Sequence, residues 1–140
     1  MATLSHEIHK ILDYLYLGRE KLVQAVLYLI GFMYVRMYLL FLFALNIANW
    51  LLAFYVNNNV SQNLVVLHYN VNLGVNLIGN ARDIYIIPTL GLAFIIINFL
   101  LLLNIFRKNK FLIHLLLGFS LLINLFLIAA TLTIYLVNFR

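Results

Sequence analysis

The chain has no cysteine, one proline and few charged residues. Without cysteine it can form no disulfide, no thiolate metal site and no cysteine nucleophile. Charged side chains make up 9% of the 140 residues and apolar ones 66%, which leaves too little polar surface to solvate a compact soluble domain. The composition therefore indicates that lipid is the solvent for most of the chain.

Three stretches carry no charge over a length that could cross a bilayer. Residues 84–106 and 111–139 contain no Lys, Arg, Asp or Glu, and residues 37–56 form a third such run. A hydrocarbon core about 30 Å thick needs roughly 20 apolar helical residues. The sequence therefore predicts one all-α integral membrane domain over residues 1–140. Its transmembrane helices are predicted at 37–56, 86–106 and 112–136, with a short cytoplasmic turn at 107–111.

Residues 5–35 predict amphipathic or interfacial helices before the first span. The part from 5 to 17 has apolar residues at helical spacing, and the part from 22 to 35 is too short for a normal crossing, covering only about 21 Å. We interpret 22–35 as a tilted, interfacial or protein-covered helix that leads into the first span. The alternative starts the span near Leu22 and places Arg36 at membrane depth, at a cost of at least about 2.5 kcal/mol.

Seven of the nine basic residues flank the predicted spans on one side. Four precede the first span, and three lie in the turn between the second and third. Basic residues concentrate in cytoplasmic loops. The pattern predicts a multi-pass protein of the cell membrane with a cytoplasmic N-terminus, an external loop at 57–85 and an external C-terminus. Its predicted partners are the bilayer and other membrane subunits, and no basic face typical of nucleic-acid binding is present.

The predicted external loop contains an extracytoplasmic β segment. From 70 to 77, polar or small residues alternate with apolar ones: Asn70, Asn72, Gly74 and Asn76 on one face, Val71, Leu73, Val75 and Leu77 on the other. Strict alternation is typical of a strand. We expect this strand to pair with 63–67 and to turn its apolar face toward protein or membrane. Gly79 and Asn80 are predicted to mark a turn.

Asparagines lie near the middle of all three predicted spans. Asn46, Asn98 and Asn124 share one depth, Asn49 lies one turn from Asn46, and Asn104 lies nearer the cytoplasmic end. An unpaired amide in hydrocarbon costs several kcal/mol, so we expect these side chains to turn inward and form hydrogen bonds across helices or subunits. The favoured interpretation is helix packing, worth about 1 kcal/mol per residue. The alternative is a polar path through the membrane.

The external loop also holds the most site-like group of the chain: His68, Tyr69 and Asn70, with Asp83 nearby. One histidine and one carboxylate are too few ligands for a closed metal site. No serine or cysteine occupies a nucleophile turn, and no carboxylates are paired. The sequence therefore predicts no catalytic residue, no metal site and no cofactor.

A resemblance to known proteins rests on seven residues of the loop and the following helix: Leu67, His68, Tyr69, Asn70, Gly74, Gly79 and Pro88. This pattern resembles one in small uncharacterised bacterial multi-pass membrane proteins. It is also similar to the His-aromatic-Asn motif of the unknown-function domain in SdpI-type immunity membrane proteins. The resemblance covers the layout of residues 37–138 and is specific over 67–88. It implies a bacterial origin and an external loop between two spans.

The function expected from these patterns is a non-enzymatic one. The midspan asparagines and the patterned strand carry more groups that need hydrogen-bond partners than three helices are expected to supply. This excess favours a structural or accessory subunit of a homo-oligomer or larger envelope complex. The alternative is a small channel or transporter subunit. A third hypothesis is a membrane-embedded enzyme that acts at the outer face through His68 and Asp83, and an immunity protein is a further alternative.

Overall fold

A computed structural model describes residues 2–60, 64–70, 74–105 and 110–139, with the backbone alone described for 2–16, 68–70 and 74–76. Within these ranges, four α-helices, a β-hairpin and one 3-10 helix follow one another along the chain. In order they are α1 (Ala2–Gly31), α2 (Met33–Asn59), β1 (Leu64–Asn70), β2 (Gly74–Asn80), a 3-10 helix (Ala81–Tyr85), α3 (Ile86–Ile105) and α4 (Lys110–Asn138).

Three of the described helical segments are long and apolar enough to cross a membrane: Met33–Asn59, Ala81–Ile105 and Lys110–Asn138. Their burial pattern differs from that in a soluble protein. Large apolar side chains such as Leu51 and Phe126 are mostly exposed, while Asn49 and Asn124 are buried. Apolar side chains face lipid and amides face the bundle in membrane helices. The prediction of an all-α, multi-pass membrane protein is confirmed at this level.

The directions of the three spans follow from their side-chain contacts. At one end Tyr34 of α2 stacks on His114 of α4, with ring centroids 4.6 Å apart. At the other end Tyr55 meets Tyr135 at 5.8 Å, so α2 and α4 run parallel. Trp50 near the end of α2 stacks on Tyr85 at the start of the next span, so α3 runs antiparallel to both. We call the two ends the basic end, with Arg36 and Lys110, and the hairpin end, with β1 and β2.

The boundaries near the N-terminus differ from the prediction. One continuous helix, α1, replaces the separate helices expected within 5–35, because an isolated glycine such as Gly18 weakens a helix without ending it. The chain bends at Phe32, whose backbone is extended (φ −77°, ψ 125°), directly after Gly31. The first span-forming helix therefore begins at Met33, ahead of the expected start at 37. Arg36 lies exposed in its first turns and does not interrupt it.

The last turns of α1 pack against the bundle. Leu29 is fully buried and shares a hydrophobic cluster with Val35, Leu42, Ile95 and Leu102. Leu42 and Ile95 lie well inside their helices, so this part of α1 reaches the level of the spans. Of the three possibilities left open for 22–35, the protein-covered one describes Leu29 best. Most other side chains from 17 to 31 remain exposed.

The two strands form an antiparallel hairpin whose register is interrupted twice. Leu67 has no partner between the pairs Val66↔Ile78 and His68↔Leu77, and Asn76 has none between Leu77 and Val75. Each extra residue reverses the side-chain alternation of its strand. Pairing was predicted correctly, but the strand bounds of 63–67 and 70–77 were wrong.

Several hairpin predictions change with these bounds. Asn70 belongs to β1, opposite Gly74, and Gly79 lies within β2 with Asn80 at its end. Leu77, expected to face protein or membrane, is 53% exposed in the isolated chain. The predicted positions of Val71, Asn72 and Leu73 lie outside the described residues, as do the side chains of Val75 and Asn76.

Candidate functional site: a buried amide network and a docked hairpin

At the centre of the bundle, two side-chain amides connect three helices. Asn46 of α2 donates from Nδ2 to the carbonyl oxygen of Pro88 in α3 at 2.9 Å, and to Oδ1 of Asn124 in α4 at 3.5 Å. Gly91 of α3 lies directly beside this contact. A Cβ at Gly91 would lie 2.7 Å from Asn124 Oδ1 and 2.8 Å from Asn46 Nδ2. The missing side chain of Gly91 is therefore what lets the two amides meet.

A second cross-helix contact lies one turn closer to the basic end. Asn98 of α3 donates from Nδ2 to the hydroxyl oxygen of Ser120 in α4 at 2.6 Å. The carbonyl oxygen of the same Ser120 accepts a hydrogen bond from Asn124 Nδ2 at 3.0 Å. Ser120 is fully buried and Asn98 nearly so. Ser120 therefore links Asn98 to the pair formed by Asn46 and Asn124, because its hydroxyl accepts from Asn98 and its carbonyl oxygen accepts from Asn124.

The third contact lies toward the hairpin end. The hydroxyl of Thr131 in α4 lies 2.6 Å from Asn49 Oδ1 in α2 and 3.1 Å from the carbonyl oxygen of Leu127 in its own helix. Both Asn49 and Thr131 are fully buried. Asn49 Nδ2 has no hydrogen-bond partner in the described residues. This pair fastens α2 to α4 without involving α3.

Asn104 is the exception among the asparagines predicted to face inward. It is exposed, and its Nδ2 donates to the carbonyl oxygen of Leu100 in its own helix at 3.3 Å. A hydrogen bond to the preceding turn satisfies part of an amide without any second helix. Asn104 therefore makes no described cross-helix bond, whereas Asn46, Asn49, Asn98 and Asn124 each take part in one.

Four participants in the network are not predicted from the sequence: Gly91, the carbonyl of Pro88, Ser120 and Thr131. For two of them a signal was present. Leu117, Ser120, Asn124 and Thr131 are spaced three, four and seven residues apart, which places them on one buried stripe of α4. Gly91 gave no such signal, because its importance depends on which side chains of the other helices face it.

The hairpin is fixed to the bundle by the last residue of α4. The backbone N–H of Val66 donates to Asn138 Oδ1 at 3.0 Å, and Asn138 Nδ2 donates to the Val66 carbonyl at 3.0 Å. The side-chain amide thus pairs with the edge of β1 as another strand would. Beside it, the fully buried Val65 packs in a cluster with Val56, Ile84 and Ile134.

Asp83 has a structural partner at the end of β2. Its Oδ2 accepts a hydrogen bond from the backbone N–H of Asn80 at 2.9 Å, where β2 gives way to the 3-10 helix. A Cβ at Gly79 would lie 2.9 Å from the same oxygen and 2.4 Å from Leu67 Cδ1. Gly79 thus allows the close approach that this cap requires. His68, Tyr69, Asn70 and Gly74 lie on the paired strands, and their side chains fall outside the described residues.

Neither the residues of this network nor comparison with known proteins assigns a reaction to it. Within the described residues, no group of three or more His, Asp or Glu side chains lies close enough to hold a metal ion. The chain matches no family model, no curated protein and no solved structure. The resemblance to SdpI-type proteins therefore stays a prediction.

Proposed function

We propose that the protein is a non-enzymatic, multi-pass membrane protein that serves as a structural or accessory subunit of a homo-oligomer or larger envelope complex. The observation that carries this proposal is the hairpin, which is hydrogen-bonded to the bundle through Asn138 but leaves apolar side chains uncovered. Leu64, Leu77 and Ile78 are 56%, 53% and 59% exposed. Within the described residues, no strand pairs with the outer edge of β2.

The buried asparagines support a packing role inside one chain. The sequence favours an oligomer because the spans contain an excess of polar groups, but Asn46, Asn98 and Asn124 each find a partner within the same bundle. Their hydrogen bonds are used between helices, which favours packing over a polar path. The argument for assembly therefore rests on the hairpin. An exposed strand edge with apolar residues can accept a strand or an apolar surface of another subunit.

The assembly proposal predicts that a charge on the hairpin lowers the mass of the particle. In mild detergent the parent protein should have the mass of one defined oligomer or of a complex with a second subunit. Ile78→Lys should shift it to the mass of a single chain, because burying an unpaired ammonium in an interface is costly. Native mass spectrometry measures both outcomes.

Asn58→Lys is the matched control for this experiment, because Asn58 is exposed at the same end of the bundle without belonging to the hairpin. It should leave the mass unchanged. A parent protein that is monomeric and partner-free would contradict the assembly proposal. Ion flux through liposomes containing that monomer would instead favour a small channel or transporter subunit.

The proposed orientation places the basic end in the cytoplasm and the hairpin outside the cell membrane, because seven of nine basic residues lie on the side predicted to be cytoplasmic. The chain has no cysteine, so single probes can be introduced without background labelling. Asn58→Cys should react with a membrane-impermeant maleimide in intact cells, and Asn109→Cys only after lysis. Labelling of both from the same side would overturn the three-span topology.

A further inference from the structure

An apolar groove runs between α1 and the bundle. Its walls are Val26 and Ile30 of α1, Leu39 and Phe43 of α2, and Ile95, Ile96, Phe99 and Leu100 of α3, and its volume is about 280 Å³. Every residue in the wall is apolar. Ile95 forms a buried floor, whereas Ile30, Phe43, Ile96 and Leu100 are exposed along the rim. The groove is therefore open on the side where the spans face lipid.

The groove lies at the depth of the buried amide network. On α3, Ile95 lies about one turn from both Gly91 and Asn98, and on α2, Phe43 lies one turn from Asn46. These positions are in the middle of helices long enough to cross the bilayer. The medium outside the groove is therefore hydrocarbon, and an all-apolar site of this kind gives water no polar partner.

The size of the groove selects among the remaining occupants. An apolar cavity of about 150 Å³ holds one benzene molecule, so this groove has room for about a dozen carbon atoms. One turn of a partner helix about 10 Å across occupies roughly 400 Å³ and does not fit. About a dozen carbons of a single acyl chain, which is much narrower than a helix, fit the volume and the chemistry of the walls, and the rest of the chain extends out through the open side of the groove.

The groove also lies where α1 has little other contact with the protein. From 17 to 31, Leu29 is the only fully buried side chain. A chain lying between Val26 and Ile30 on one side and the α2 and α3 walls on the other would add the missing van der Waals contacts. We propose that a phospholipid acyl chain resides in this groove and holds the second half of α1 against α2 and α3. This inference does not depend on the assembly proposed above.

The test compares two double variants that differ only in where the added rings point. Leu39→Phe with Leu100→Phe fills the groove, because both leucines line it. Leu40→Phe with Leu101→Phe adds the same two rings at exposed neighbours that do not line it. Each protein is reconstituted in phosphatidylcholine vesicles, extracted in mild detergent and weighed by native mass spectrometry. The parent and the control pair should retain one phosphatidylcholine per chain, and the groove-filling pair should retain at least tenfold less.

A second measurement keeps the proposal testable if the filled variant does not fold. Phosphatidylcholine carrying a diazirine on its acyl chain is photolysed in vesicles with the parent protein, and the labelled residues are mapped. Labelling should be at least several-fold greater at Val26, Ile30 and Phe43 than at Leu40 and Leu101. Equal labelling at both sets, equal lipid retention by both double variants, or a parent that retains no lipid would overturn the proposal. A groove protected by dimer formation without lipid would show that a second copy occupies it.

Discussion

Gly91→Ala is expected to destabilise the three-helix bundle by about 2–4 kcal/mol, because overpacking and an unpaired buried amide each cost about 1–3 kcal/mol. The new methyl group would lie within 3 Å of both Asn46 Nδ2 and Asn124 Oδ1. These atoms belong to two other helices, so neither can yield without moving a helix or breaking the contact. Unfolding of the purified protein by a denaturing detergent, followed by circular dichroism, measures the loss.

Gly118→Ala provides the matched control. Gly118 is also an internal helical glycine, but a Cβ there would meet no atom within 4 Å. Alanine lowers the backbone entropy of the unfolded chain, so this variant should be unchanged or more stable by up to about 1 kcal/mol. A Gly91→Ala protein as stable as Gly118→Ala would show that the amide contact contributes little to the fold.

The sequence alone predicts the spans and the burial of the asparagines, but not the partners that the asparagines find. Helical spans are predictable because lipid constrains the composition of a whole helix, and the uncharged runs reveal that directly. The burial of Asn46, Asn98 and Asn124 was expected on the cost of an unpaired amide in hydrocarbon. Which partner each would find depends on how the helices rotate against one another. That rotation is set by tertiary packing, and it brings Asn98 to Ser120 instead of to another asparagine.

The boundaries were less predictable than the spans, for identifiable reasons. The sequence predicts a first span that starts after Arg36, because a charge in the membrane is costly, but near the start of α2 Arg36 remains exposed and the helix continues through it. In the hairpin, alternation located paired strands but not the two irregularities at Leu67 and Asn76. A bulge shifts register by one residue and so changes which side chains face the bundle. Pattern counting along one strand cannot detect that shift.

The second large effect is expected at Asn138, whose side-chain amide pairs with the edge of β1 in place of a neighbouring strand. Asn138→Leu removes both hydrogen bonds to the backbone of Val66. Leaving these half-buried backbone groups unpaired costs up to about 1–3 kcal/mol, and a two-stranded ribbon is marginal by itself. Because each 1.4 kcal/mol is a factor of about ten, backbone amides of β1 should exchange with deuterium about 10- to 100-fold faster.

Thr133→Val is the control for this last change. Thr133 is exposed in the same final turns of α4, and its hydroxyl donates to the carbonyl oxygen of Ala129 in its own helix at 2.9 Å. Exchange in β1 should therefore stay at the parent rate in Thr133→Val, and amides in the middle of α2 and α4 should be unaffected in both variants. Unchanged protection of β1 in Asn138→Leu would mean that packing of Val65 against Val56, Ile84 and Ile134 holds the hairpin without the amide. Faster exchange confined to β1 and β2 would instead identify Asn138 as the group that joins the proposed assembly surface to the membrane bundle.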